Sequence, residues 1–437
     1  DIPWYADWAE YRERYLITSM DRLAGMMRER GLGGIALFHN YPHPLGPGGA
    51  ASGFTTPFNL MKLEEKVDFV VIAGDLYDGD WRDYATGLFF AKEMGRLARA
   101  QIPVYLLYGN HDAESRITKR LVLPENVFVF PAKAPHTHLI RDLKVALHGQ
   151  SFATAAVTDN LARAYPPARP GHFNIGVLHT AATGRGGHAA YAPCQPAELI
   201  AKGYDYWALG HVHAREVLHE VPPVVFAGNL QGRNIRETGA KGFTVVTVAE
   251  HKVIGVEAVT ADVVRWARLV VAADACSDLE ALLAQARVDL AEAVRQADGR
   301  LAVVRLSLSG RTALHGWLKD HPDTLTAELR AAASSVSADL WIEQVVVETE
   351  TRHDLAAAAR RPDAVGALLQ AADGLLAEPA ATAALEAELA QVIDKLPDDV
   401  RHQAYPGGRL ATDDLAALIG EAKVVIASRL LDDFGEA

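Results

Sequence analysis

The sequence predicts a layered α/β fold, and three observations carry that expectation. Short apolar runs each end at a glycine, as in VDFVVIAG (67–74), IPVYLLYG (102–109) and YDYWALG (204–210). Helical periodicity fills the spaces between such runs, most clearly at residues 84–100. A second alternation of β-rich and helical stretches follows at 265–350. Strands buried on both faces read as unbroken apolar runs, and ligands of α/β sheets bind where the strands end.

The elements follow in order. Residues 1–66 read as an atypical N-terminal segment. It holds a helical stretch near Tyr11–Arg30, a strand-like run at Gly34–Phe38, and a Gly- and Pro-rich loop from Tyr41 to Pro57. A central domain is expected over 67–260. Its strands are the three runs above, short runs at 127–130 and 143–148, NIGVLHT (174–180), VVFAG (224–228) and GFTVVTV (242–248). A small α+β domain is expected over 265–350. It reads as strand RWARLVVAA, helix 277–297, strand LAVVRLSLS, helix 313–334 and strand LWIEQVVVET. A helical region is expected over 360–437, with breaks near Glu378–Pro379 and Pro397–Gly408. Its last helix, at about 413–432, places Leu415, Leu418, Ile419, Ala422, Val425 and Ile426 on one apolar side.

Composition bounds the function. The chain has 437 residues, room for two or three domains at about 150 residues each. No apolar run reaches the ~18 residues of a membrane span. Cys194 and Cys276 are the only cysteines, too few for a disulfide framework, so a cytoplasmic setting is expected. A net charge of −12 argues against coating nucleic acid by general electrostatics. Bound cations or a local basic patch can offset that repulsion. Arg215, Arg233 and Arg236 are the candidates for such a patch, although solvated surface arginines are the commoner case.

The chemistry gathers in four segments, each just after an apolar strand. These are Gly74-Asp75-Leu76-Tyr77-Asp78, Gly109-Asn110-His111-Asp112, Val177-Leu178-His179-Thr180 and Gly210-His211-Val212-His213. A glycine at a strand end lets the backbone turn sharply. Asp75 can bridge two cations, Asn110 can offer an amide oxygen, and His179, His211 and His213 can offer ring nitrogens. In a strand-end HxH the two histidines point to the same side, so His211 and His213 can serve adjacent cations. Two adjacent cations can clamp a phosphoryl group and activate water. His111, not needed as a ligand, is placed to protonate a leaving oxygen. Any one of these dipeptides alone is usually just a turn; the four in this order are not.

These motifs resemble those of the calcineurin-like metallophosphoesterases. GVLHT, ALGHVH and AGNLQGRNIRETGAKGF are similar to the SbcD-like DNA repair exonucleases, including the YhaO type. The likeness runs from about Val67 to the C-terminus. It implies a four-layer αββα sandwich with a small capping domain, and Mn²⁺-dependent cleavage of DNA. It also implies an SMC-like ATPase partner of the SbcC or Rad50 kind, and pairing into a homodimer. By that likeness Asp75 bridges two divalent metal ions, Asn110, His179 and His211 hold one, His213 holds the other, and His111 is catalytic. Gln231, Arg233 and Glu237 lie in a shared stretch without an assigned role.

The sequence departs from that family at its start. The Asp-x-His that normally opens the motif series does not occur in residues 1–66. The nearest substitutes are His39, after the run IALF, and His43. The first cation position would then keep only Asp75 and His213, which predicts one strong site, one weak site and impaired hydrolysis. Three functions follow: a DNA exonuclease or endonuclease subunit, a small-molecule phosphodiesterase or phosphatase, and a non-catalytic scaffold for an ATPase. The long C-terminal part favours the first. His148, near a likely strand end, is a weaker candidate, and Cys194 reads as inert.

Overall fold

The computed structural model describes residues 34–38, 67–76, 84–114, 121–182, 191–375, 377–395 and 412–431. The chain forms two compact units, one of residues 1–267 with 297–303, the other of 268–296 with 304–437.

Among the described residues, the first unit contains two six-stranded sheets. One is built from β1 (Gly34–Phe38), β2 (Val67–Ala73), β3 (Val104–Leu107), β4 (Val127–Val129), β11 (Gly242–Ala249) and β12 (Lys252–Thr260), in the order β12-β11-β1-β2-β3-β4. Strands β1 to β4 run parallel, while β11 and β12 join antiparallel. The other is built from β5 (His136–Ile140), β6 (Val145–Gly149), β7 (Phe173–His179), β8 (Tyr206–Gly210), β9 (Glu216–Glu220) and β10 (Pro223–Phe226), in the order β5-β6-β7-β8-β10-β9. Its four central strands are parallel and its two edges antiparallel.

Alternation along the strands builds the layers. Phe69 and Val71 of β2 face inward and pack with Ile175, Val177 and Ala208 of the second sheet. Val70 and Ile72 face outward onto Phe90, Met94 and Leu97 of α1 (Tyr84–Arg99). Those three helix positions share one face by their spacing, and each buried side chain contributes about 1.5–3 kcal/mol. Arg96 and Arg99 occupy the last turn of α1, where positive charge suits the helix dipole. After α2 (Asn110–Glu114), the outer face of the second sheet is covered by a 3-10 turn at Leu161–Ala164 and by α3 (Pro196–Ile200). There Trp207 and Leu209 pack with Ala162 and Leu199. The result is the expected αββα sandwich.

Gly176 in β7 makes this outer packing possible. A Cβ there would meet the Trp207 ring, with Cδ2 at 2.6 Å. Gly176→Ala is therefore expected to destabilise the first unit by about 1–3 kcal/mol, the cost of overpacking. Urea unfolding checks this; an unchanged midpoint would refute it.

Several sequence expectations are corrected here. Gly34–Phe38, set apart with 1–66, lies inside the first sheet, paired to β2 on one side and β11 on the other. A strand between two partners is part of that sheet, whatever precedes it. Strands β5, β9 and β12 were not anticipated; all three are sheet edges, half solvated and therefore poor in apolar runs. The rest of the expected N-terminal helix and loop, with His39 and His43, lies outside the described residues.

The connection leaving β12 is held by charge. Asp262 is buried, and its carboxylate accepts from Arg265 Nε at 2.7 Å and from Lys241 N at 3.1 Å. Arg300, also buried, meets the same carboxylate at 2.7 Å and the Asp262 carbonyl at 2.9 Å. A buried carboxylate is tolerable only with such pairing.

The second unit carries a three-stranded sheet, β13 (Val264–Ala272), β14 (Leu301–Thr312) and β15 (Leu340–Thr351), with β14 in the middle. Its helices are α4 (Leu279–Gln296), α5 (His315–Asp320), α6 (Pro322–Val336), α7 (Leu355–Ala359), α8 (Ala364–Leu375), α9 (Pro379–Ile393) and α10 (Thr412–Leu431). The single helix expected over 313–334 is two, because Pro322 starts a new helix and His321 before it leaves helical geometry (φ −124°, ψ 53°). In α10, Leu415, Ile419 and Ala427 are buried but Leu418 and Ala422 are exposed. The buried stripe is thus narrower than the six positions expected. Among the described residues, no helix is long and apolar enough to cross a membrane.

Candidate metal centre

The site assembles at the ends of β2, β3, β7 and β8. Apart from Asp68 near the start of β2, these strands are buried along their length, so polar side chains emerge into a cleft where they stop. After β2 the backbone turns through Gly74 (φ +93°) and then Asp75 (φ +52°). A left-handed φ is cheap at glycine but sparsely populated for other residues, aspartate being among the more tolerant. His211 is the sharper case, at φ +97°. Strain of this kind persists where the surroundings over-determine it, and it clusters at functional sites.

Asp112, to which the sequence reading gave no role, stitches two of these turns together. Its fully buried Oδ2 accepts from Leu76 N at 3.0 Å and from Gly109 N at 2.8 Å. Asp75 Oδ1 in turn accepts from His111 N at 3.1 Å. The loop carrying Asp75 and the loop carrying Asn110 and His111 therefore hold each other.

Three predicted residues, Asp75, His179 and His211, place ligand atoms within 4.8 Å of one another, all buried. Asn110 joins them, its Oδ1 lying 2.9 Å from His179 Nε2. His179 Nδ1 is 2.9 Å from the Ala73 carbonyl, which only accepts, so that nitrogen carries the hydrogen. Nε2 then faces two acceptors, Asn110 Oδ1 and, at 3.3 Å, Asp75 Oδ2. Buried acceptors converge favourably only around positive charge. Burial alone depresses a histidine; here the Asp75 carboxylate, with the Ala73 carbonyl and Asp112, outweighs it and holds His179 above its ordinary value. Phe152 stands edge-on to His179 with ring centroids 5.2 Å apart, and His211 does so at 5.1 Å. One carboxylate, two imidazoles and an amide oxygen are the donors a first-row divalent cation takes. These residues fit such an ion.

The cradle has no room for more atoms. A Cβ on Gly109 would collide with Asp75 Oδ1 and lie 2.6 Å from His179 Cε1 and 2.7 Å from Asp75 N. Gly109→Ala is expected to push Asp75 and His179 apart and lower divalent-cation affinity at least about tenfold, at a stability cost of about 1–3 kcal/mol. Calorimetric titration and a thermal melt check this; wild-type values in both would refute it.

His213 is placed differently. The strand β8 ends at Gly210, so HVH lies in a turn and not along the strand. The expected strand alternation does not apply there, because the left-handed His211 breaks it. Val212 goes into the outer core, while His213 stays partly exposed and bonds Glu237 Oε1 through Nδ1 at 2.7 Å. It is not in the cluster of Asp75, His179 and His211. Glu237 is the second residue that sequence reasoning left without a role. It lies in the stretch shared with the family, four positions after Arg233, with which it pairs.

The other candidates resolve into structure. His148 is buried between Thr137 Oγ1 at 2.8 Å and Asn174 Oδ1 at 3.1 Å and stacks on Tyr204. Burial lowers its pKa despite the Asn174 bond, and it serves the core. Cys194 is buried with Sγ 3.4 Å from Thr180 Oγ1. Arg215 Nε donates to Thr244 Oγ1, Arg233 is tied to Glu237, and Arg236 is exposed.

The family model for calcineurin-like phosphoesterases matches residues 39–215, starting inside the stretch that the sequence reading set apart. A second model, the middle domain of metallophosphoesterase YhaO, matches residues 266–350. The uncharacterized metallophosphoesterase YhaO of Bacillus subtilis (strain 168) is 34% identical over 301 residues, covering 67% of this chain and 72% of that protein. The chain belongs to the calcineurin-like metallophosphoesterases and is similar to YhaO within them.

Proposed function

We propose that this chain is the nuclease subunit of a DNA repair complex, hydrolysing phosphodiester bonds of DNA with Mn²⁺ as its cation. The observation that carries the reading is the convergence of Asp75, Asn110, His179 and His211 on one buried point. Asp75, Asn110, His179 and His211 would hold one cation, and Asp75 with His213 the other. When bound, such cations polarise the phosphoryl group and favour ionised water. The chain's own residues do the rest. His111 is fixed by its backbone to Asp75 while its ring stays partly exposed, so it can give a proton to the leaving oxygen. Asp112 keeps that backbone in place. An acidic chain needs this cation charge to approach DNA.

The second unit supports DNA over a small substrate, since small-molecule hydrolysis needs no such extension. Its terminal helices, with Leu418 and Leu430 exposed, would serve an SMC-like ATPase. A homodimer is the accompanying assembly. Because residues 1–66 lack Asp-x-His, the second cation binds weakly and turnover is reduced.

Release of nucleotides from linear DNA, compared with hydrolysis of bis(p-nitrophenyl) phosphate in Mn²⁺, tests the reading, with His111→Ala as the control for contaminating nuclease. DNA hydrolysis lost in that control is expected. Hydrolysis of the small ester alone would make the chain a small-molecule phosphodiesterase. Inertness to both with retained ATPase binding would make it a scaffold. Metal analysis should find one tightly held Mn²⁺ per chain; two would sink the weak-site argument.

A further inference from the structure

We propose that Glu237 is a positioning residue for His213: it takes the hydrogen on Nδ1 and so leaves Nε2 as the ring nitrogen that can bind a cation. This rests on the reading of His213 as a cation ligand given above.

The loop between β10 and β11 is built around the Glu237 carboxylate. Oε2 accepts from Asn229 Nδ2 at 3.0 Å and from Arg233 N at 2.9 Å. Oε1 accepts from Arg233 Nε at 3.0 Å and Nη2 at 2.6 Å, and lies 2.7 Å from His213 Nδ1. The same loop grips the His213 backbone, since Asn229 N donates to the His213 carbonyl at 3.0 Å. The loop itself is anchored by Trp266 Nε1, which donates to the Gly232 carbonyl at 2.9 Å, and by Gln231 Nε2, which donates to the Val264 carbonyl at 2.7 Å. Main chain and ring of His213 are thus both referred to one rigid frame.

One nitrogen has two suitors. Arg233 Nη2 lies 2.8 Å from His213 Nδ1, and Glu237 Oε1 lies 2.7 Å from it. A ring nitrogen either donates or accepts, so the two contacts cannot both be hydrogen bonds to Nδ1. If Arg233 donated, the proton of a neutral ring would sit on Nε2 and bar a cation there. If Nδ1–H donates to the carboxylate, the bond is charge-assisted and Nε2 keeps its lone pair. Arg233 Nη2 already has its acceptor in Oε1, so it gains little from Nδ1. A carboxylate behind a ligating histidine raises the ligand's basicity and fixes its orientation. The two members of one ion pair therefore act on His213 in opposite senses.

The test uses the full chain and Mn²⁺ alone. Calorimetric titration of the wild type and of His213→Ala identifies which binding step belongs to His213. Glu237→Gln is expected to weaken that step by about 10–100-fold and leave the other unchanged. Arg233→Gln is expected not to weaken it, because the competing donor is gone. If Arg233→Gln costs as much as Glu237→Gln, the pair merely holds the loop and the proposal fails. Nitrogen NMR of the metal-free wild type reads the tautomer without any variant. Nδ1–H on His213 supports the proposal, and Nε2–H overturns it. That readout is independent of metal binding, so a chain that binds no Mn²⁺ would defeat the function proposed above without deciding this one.

Discussion

Asp75→Asn is expected to abolish tight divalent-cation binding and lower phosphoester hydrolysis by on the order of 10⁴-fold or more, towards the uncatalysed rate. The substitution is chosen for its backbone. Asp75 sits at φ +52°, and asparagine is among the few residues at ease there, so the turn survives. What changes is charge. Asp75 Oδ2 faces His179 Nε2 at 3.3 Å, and Oδ1 holds the His111 amide at 3.1 Å. An amide can keep the second contact only by a rotamer that gives its oxygen to His111, which turns its NH₂ towards the cation position. The carboxylate is also the ligand that both cations share in the proposed function. Metal content by elemental analysis and rates on linear DNA check the result, with a thermal melt to show that folding is intact. A folded Asp75→Asn chain with wild-type Mn²⁺ content would overturn the assignment of Asp75 as a ligand.

His111→Ala is expected to cut kcat by about 10²–10⁴-fold while leaving Mn²⁺ content unchanged. The separation follows from geometry. The His111 backbone amide bonds Asp75, and any residue supplies that amide. Its ring is partly exposed and outside the buried cluster of Asp75, His179 and His211. Esters with better leaving groups should be spared, because they need no proton from the ring. Equal losses on DNA and on a p-nitrophenyl ester would show that His111 does not protonate the leaving oxygen. Lost Mn²⁺ would show that it is a ligand instead.

Much of this site was legible because its residues follow unbroken apolar strands. VDFVVIAG and IPVYLLYG announce both the strand and its end, and the next polar residue must emerge there. Sequence could not show that Asp112 faces back to bond Leu76 and Gly109, since an aspartate after a histidine carries no such mark. Glu237 was equally silent, because its partners Asn229 and His213 come from different turns. The HVH segment misled through its regular look. Alternation holds while a strand lasts, and this one stops at Gly210, with His211 taking a left-handed turn that only glycine would have advertised. Edge strands escaped for a related reason. In β12, KVIGVEAVT mixes charge and Gly255 into a strand paired on one side, so no apolar run marks it.

The clasp between Asp262 and Arg300 has a consequence for how the protein is made. The first unit is completed only by residues 297–303, which follow the excursion at 268–296. Asp262 leaves the ribosome 38 residues before Arg300. At ~5–20 residues per second, that is a wait of roughly 2–8 s. During it, burying the carboxylate would leave a charge with its pairing incomplete, a cost of about 3–5 kcal/mol. The sheets that frame the metal centre can form earlier, but they cannot close on the Asp262 side until the next unit is already being synthesised. The catalytic half and its neighbour are thus tied in time as well as in chain order, and no stop within 268–296 yields a finished first unit.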